Sequence, residues 1–197
     1  MARKKRVWWP GGCYHIMSRG NRRHEIFRDD EDRYVYLCML AQVKDRYPFK
    51  LHAYCLMDNH VHFQLEMIET DPGIIMKLLT MKYAIFFNHK YHFTGQLMQG
   101  RFQAEVIEDD RYFLALNRYI HLNPVKAGIV SHPKHYQWSS YNAYMMGIEP
   151  SPVDTAKILN YFNAPKISEF EQFTVGGLPE DNTIDFCLPK KLEMDEE

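Results

Sequence analysis

Residues 49–57 read Phe49-Lys50-Leu51-His52-Ala53-Tyr54-Cys55-Leu56-Met57; Asp58-Asn59 follows, then His60-Val61-His62-Phe63-Gln64-Leu65-Glu66. Two strand-like runs around an Asp-Asn turn signal predict a β-hairpin. In the second run His60 and His62 flank Val61. Side chains two apart on a strand share a face, with Cα atoms about 6.6 Å apart. Two imidazoles placed this way can bind one divalent metal, while Val61 turns into the packing. Two histidines alone make an incomplete site, and a hydrogen-bonded pair gives the same pattern, so a third ligand must decide.

Working outward, the breaker Pro10-Gly11-Gly12 precedes Cys13-Tyr14-His15-Ile16-Met17, which reads as a strand. Ser18 to His24 is a polar loop with Arg19, Arg22 and Arg23. Asp29 and Asp30 are good N-caps for a helix whose apolar stripe is Tyr34, Leu37, Cys38 and Ala41, ending near Pro48. Asp71-Pro72 opens a second helix with the stripe Ile74, Leu78, Met81 and Ile85. Phe102 to Ile107 is a short strand. Asp109-Asp110 starts a third helix, with Phe113, Leu116 and Ile120 on its apolar side, and Asn123-Pro124 should end it. The order strand, helix, strand, strand, helix, strand is that of a ferredoxin-like split β-α-β fold of the α+β class. Such a fold has a mostly antiparallel sheet with helices on one face.

The third helix offers the missing chemistry. Tyr119 and Asn123 stand at i and i+4 and so share a face. An amide oxygen suits a hard cation such as magnesium or manganese, and histidine suits manganese or zinc. Each residue also has a plain reading: the chain has 13 tyrosines, and asparagine before proline is an ordinary helix terminator.

Composition narrows the class. At 46% hydrophobic and 25% charged, the 197-residue chain is globular rather than disordered. Its net charge is −1, but residues 1–140 hold 20 Lys and Arg against 14 Asp and Glu, while residues 141–197 hold 4 against 11. The body is therefore mildly basic and the tail acidic, which suits an anionic partner for the body or two differently solvated faces. The N-terminal run Arg3-Lys4-Lys5-Arg6, with Trp8 and Trp9, mixes charge with stacking surface as single-strand binders do; a basic start before core tryptophans reads the same way. Arg19, Arg22, Arg23 and Arg101 are either phosphate contacts or solvated surface. No stretch approaches 18 apolar residues, no secretory signal is visible, and none of the four cysteines forms a CxxC pair. The expectation is a cytoplasmic protein with reduced thiols and no membrane span.

Taken together, His60-Val61-His62 and Tyr119-Ile120-His121-Leu122-Asn123-Pro124-Val125-Lys126-Ala127-Gly128 resemble the HUH single-tyrosine transposases, closest to the REP-associated branch. The supporting segments are Pro10 to His15, Ser18 to Arg23, Gln99-Gly100-Arg101-Phe102 and Trp138-Ser139-Ser140-Tyr141. The resemblance implies that Tyr119 is the nucleophile and that His60, His62 and Asn123 hold magnesium or manganese. It implies cleavage and rejoining of single-stranded, hairpin-forming DNA through a 5′-phosphotyrosine link. Many members carry Gln where Asn123 stands, and the REP-associated branch carries Asn. Monomer or homodimer is left open, as is whether the tyrosine helix serves its own subunit.

The resemblance spans about residues 6–145, giving residues 1–145 as the catalytic domain and 146–197 as an acidic, mostly helical or irregular extension. Val153 to Phe162 reads as one helix capped near Asp154. Two other functions compete: a hairpin-binding protein that does not cut, and a zinc hydrolase, which lacks a Glu base beside the histidines. His121 points to another face of its helix than Tyr119, which suits packing or a phosphate contact. Trimming the chain after about Ile148 is expected to tighten nonspecific DNA binding at low salt.

Overall fold

In the computed structural model, residues 7–147 and 151–176 are described. Arg3, Lys4, Lys5 and Arg6, and Cys187, lie outside them. Strand β1 (Cys13–Arg19) follows the Pro-Gly-Gly breaker. Then come α1 (Asp30–Arg46), β2 (Phe49–Met57), β3 (His60–Met67), α2 (Pro72–Tyr91), β4 (Gln103–Val106) and α3 (Asp110–Lys126), with α4 (Tyr141–Met146), α5 (Ala156–Leu159) and α6 (Lys166–Val175) behind. The sheet order is β2-β3-β1-β4 and every neighbouring pair is antiparallel. This is the expected α+β, split β-α-β arrangement, with the β2–β3 hairpin turning at Asp58-Asn59.

The sheet is covered on both faces. On one, Tyr36 of α1 stacks on Phe63 of β3 and meets Tyr83 of α2 edge-on, at ring centroid distances of 6.3 and 4.9 Å. On the other, Gln64 donates to the Phe113 carbonyl of α3 at 2.8 Å, and Asn117 of α3 donates to Gln64 at 3.1 Å. The expectation of helices on one face therefore holds for α1 and α2, and α3 adds a second layer. Covering both faces explains why β3 is buried from Val61 to Met67 instead of alternating.

The stripes expected for α1 and α2 are largely turned outward, although Leu37 and Leu78 pack partly against the core. Tyr34 is 64% exposed and Ala41 is exposed, whereas Tyr36, Leu40 and Val43 face the sheet. In α2, Ile74, Met81 and Ile85 are exposed, and Ile75, Met76, Leu79, Tyr83 and Phe87 are buried. The reason is that Tyr34 to Ala41 is an unbroken apolar run, so a 3.6-residue period can be drawn through it at several phases. Rotation is set by polar anchors instead. Asp29 and Asp32 form a reciprocal capping box, and buried Asp32 also accepts from Arg28 N at 2.8 Å and Tyr91 Oη at 2.8 Å. In α3 the expected stripe of Phe113, Leu116 and Ile120 is the buried one.

Helix α3 does not stop at Asn123 but passes through Pro124 to Lys126. Proline lacks an N–H, which removes one rung, yet Ala127 N still donates to Asn123 O at 2.9 Å.

The segment after residue 150 packs on the body, burying Val153, Ile158 and Phe170. Asp154 N donates to Leu51 O at 2.7 Å, and Leu51 N donates to the Asp154 carboxylate at 2.9 Å. That carboxylate also pairs with Lys44 at 2.7 Å. Asp154 is thus spent on β2 instead of capping a helix, and the helix expected over Val153 to Phe162 is reduced to α5. No described helix is long and apolar enough to cross a membrane.

Candidate active site

The α3 face of the sheet carries His15, Met17 and Arg19 of β1 beside His60 and His62 of β3. Antiparallel register sets Met17 opposite His62 and Arg19 opposite His60. Helix α3 closes this area from above. A cleft of about 360 Å³ results, lined by Arg19, His60, His62, Tyr119, Asn123 and Lys126 among others. The four residues singled out for chemistry in the sequence therefore share one cleft. The His60 and His62 rings are 4.9 Å apart and nearly perpendicular, and the Tyr119 ring stands edge-on to His62 at 5.6 Å. Tyr119 is 8% exposed.

Each imidazole is held by one nitrogen. His60 Nδ1 lies 2.6 Å from Asn59 Oδ1, and His62 Nδ1 lies 2.9 Å from His15 Nε2. Nε2 of each ring is then the atom left for a ligand. Asn123 Nδ2 donates to the Tyr119 carbonyl at 3.2 Å, which leaves its Oδ1 for the same purpose. Burial, with the Arg19 charge adding, pushes His60 down to about 4. Burial pushes His62 well below its ordinary value, reinforced by His15, His60 and Arg19. Both rings thus stay neutral near pH 7, the form that ligates metal. Two neutral imidazole nitrogens and one amide oxygen fit a divalent ion of the magnesium or manganese kind.

The hairpin turn is braced from behind. The Asp58 carboxylate pairs with the buried Arg33 guanidinium, and Asp58 O accepts from Ile26 N and Phe27 N at 2.7 and 3.0 Å. Gly20 N donates to Asn59 O at 2.8 Å. A Cβ at Gly20 would lie 2.0 Å from His24 O, so only glycine lets the arginine loop fold back on itself this tightly. That loop places Arg19 and Arg23 in the cleft lining, while Arg22 is exposed and outside it. Arg101 is elsewhere: it lines a groove of about 690 Å³ with Trp8, Lys77 and Phe102. His121 is fully buried, 2.8 Å from Ser140 Oγ, and so belongs to packing.

Lys126 in the cleft lining and His15, buried against His62, were not singled out from the sequence. His15 is a polar residue in an otherwise buried strand, and its strand position alone does not reveal its partner. Lys126 has its Nζ 5.0 Å from the Tyr119 ring centre. Its spacing of seven from Tyr119 marks the same helix face, but only once the helix is known to continue through Pro124.

Elsewhere Cys13, His52 and Glu66 place possible ligand atoms within 4.8 Å of one another. Glu66 there is already paired with Lys157 at 2.6 Å and Lys50 at 2.8 Å. Burial pushes the Cys13 thiol up to about 11. The group is a charge-paired network tying the C-terminal segment to the sheet.

Residues 11–123 match the family described as Transposase IS200 like, more than half of the chain. The chain belongs to the IS200-like transposase family. A REP-associated tyrosine transposase from Haemophilus influenzae is 27% identical over 157 residues, covering 72% of this chain and 86% of that protein. A solved REP-associated tyrosine transposase bound to a REP hairpin superimposes with a TM-score of 0.62 at 22% identity, covering 76% of this chain and 89% of that one. The fold of this IS200-like transposase is thus the HUH fold. The family match runs from the breaker before β1 to Asn123, so it includes both histidines, Tyr119 and Asn123. Lys126 and the packed segment after residue 150 lie beyond it.

Proposed function

We propose that this transposase cleaves and rejoins single-stranded, hairpin-forming DNA with Tyr119 as its nucleophile. The observation that carries the reading is the convergence of Tyr119, His60, His62 and Asn123 on one cleft from two strands and a helix. The solved REP-associated tyrosine transposase, which is bound to a REP hairpin, supports hairpin DNA as the partner.

The Tyr119 oxygen attacks the scissile phosphorus, forming a Tyr–O–P bond as the P–O3′ bond breaks. The leaving 3′ oxygen takes a proton and departs as a hydroxyl. The phosphodiester count is unchanged, so a 3′-hydroxyl can reverse the step and join strands. A phenol has an ordinary pKa of about 10 and needs help near neutral pH. The Lys126 ammonium, 5.0 Å from the Tyr119 ring centre, places positive charge beside the nucleophile. Arg19 and Arg23 bring positive charge to the rim where phosphates enter. His60, His62 and Asn123 would hold a divalent ion, which supplies charge neutralisation at the scissile phosphate.

The test is a labelled single-stranded hairpin incubated with the full chain and manganese or magnesium, run on a denaturing gel. A covalent adduct is expected for the wild type and none for Tyr119→Phe. Hairpin binding without an adduct in the wild type would assign the chain to non-cleaving binders.

A further inference from the structure

We infer that His15 is a positioning residue for the metal centre: its Nε2 accepts the Nδ1–H of His62 and so fixes the tautomer that turns a His62 Nε2 lone pair to the ion. The inference rests on the metal site proposed above and deepens it. The two nitrogens are 2.9 Å apart and the bond is buried. The rings lie nearly parallel, 16° apart, with centroids at 5.2 Å, so the contact constrains ring orientation as well as proton position. His15 also meets the Tyr119 ring edge-on at 6.3 Å and therefore touches both the ligand and the nucleophile.

The geometry follows from register. His15 pairs with Gln64, and Met17 with His62, so His15 and His62 are diagonal neighbours on one face. One hydrogen is shared between two ring nitrogens. If His62 ligates through Nε2, its hydrogen must sit on Nδ1, and His15 Nε2 must accept it. Outer partners of metal-bound histidines do this job with a carboxylate, carbonyl or water. Here a neutral imidazole does it. Asn59 serves His60 in the same way with an amide oxygen at 2.6 Å. Neither His15 nor Asn59 adds negative charge, and the ligands themselves are neutral. A bound divalent ion would keep its full charge for a phosphodiester, which carries one negative charge. A carboxylate at position 15 would spend part of it.

The test reads the tautomer directly. In metal-free protein labelled with nitrogen-15 in histidine, long-range proton–nitrogen correlations distinguish Nδ1–H from Nε2–H. The wild type is expected to show His62 as Nδ1–H and His15 with an unprotonated Nε2. Observing His62 as Nε2–H would overturn the inference without any variant. Manganese affinity, followed by paramagnetic resonance of free Mn²⁺, supplies the second readout. His15→Ala is expected to weaken it roughly 10–100-fold, the usual effect of losing such a partner. His15→Gln, which keeps an acceptor, should recover part of the loss. Unchanged manganese affinity in a folded His15→Ala protein would also overturn the inference. Manganese affinity unaffected by His62→Ala would instead sink the metal site itself, so the two failures are separable.

Discussion

Lys157 Nζ lies 2.6 Å from Glu66 Oε2 and so joins the segment after residue 150 to an internal strand of the sheet. Glu66 also receives Lys50 at 2.8 Å and His52 at 3.1 Å, and is itself only 11% exposed at its side chain. Lys157→Met removes one of the two lysines that pair with a mostly buried carboxylate. The expected cost is about 1–3 kcal/mol, read as a lower urea midpoint. Lys157→Arg should lose less, because it keeps the charge.

Glu66 also predicts a pH dependence. Burial raises its pKa, but hydrogen bonds from Lys157, Lys50 and His52 outweigh this and hold it down to about 2, below the ordinary 4.5. A depressed carboxylate contributes stability that is fully present above about 4.5 and is lost as pH falls toward about 2. Urea midpoints measured from pH 5 to pH 2.5 should therefore fall more steeply for the wild type than for Glu66→Gln. Parallel curves would show that Glu66 is not the group responsible.

Metal removal should separate chemistry from binding. With EDTA, or in His60→Ala, the covalent adduct is expected to vanish while hairpin affinity stays within a few-fold of the wild type. Phosphate contacts from the arginine loop do not depend on the ion. A gel-shift titration beside the denaturing gel checks both. Loss of hairpin binding with the metal would mean that the ion holds the DNA itself.

Charge beyond the packed segment gives a further outcome. Residues 177–197 hold seven Asp and Glu against two Lys. Ending the chain at Gly176 should tighten nonspecific single-strand binding at low salt, with the difference fading as salt rises. The cut expected from sequence, after Ile148, is unsuitable because it strips away buried Val153, Ile158 and Phe170. Fluorescence anisotropy with an unrelated oligonucleotide at two salt concentrations is the measurement.

Much of the site was legible in the chain. His60 and His62 share a face because a strand repeats every two residues, and Tyr119 and Asn123 share one because a helix repeats every 3.6. Local geometry fixes both facts, so no tertiary knowledge was needed. The hairpin turn at Asp58-Asn59 and the stripe Phe113, Leu116 and Ile120 are equally local.

Other features depend on distant partners. The phase of α1 was illegible because its central run, Tyr34 to Ala41, is apolar on every side. It was set by the Asp29–Asp32 capping box and by Arg33 reaching Asp58. Arg101 looked like a companion of the arginine loop but faces a different groove, since Ser18 and Arg19 alternate across the sheet. The sequence by itself determined which side chains could do the chemistry and which shared a local face. Tertiary structure decided which faces meet: His15 against His62, Tyr119 against His62, and Lys157 against Glu66. Those contacts join residues between 47 and 91 positions apart, and only the register of β1 on β3 and the packing of α3 and α5 bring them within reach.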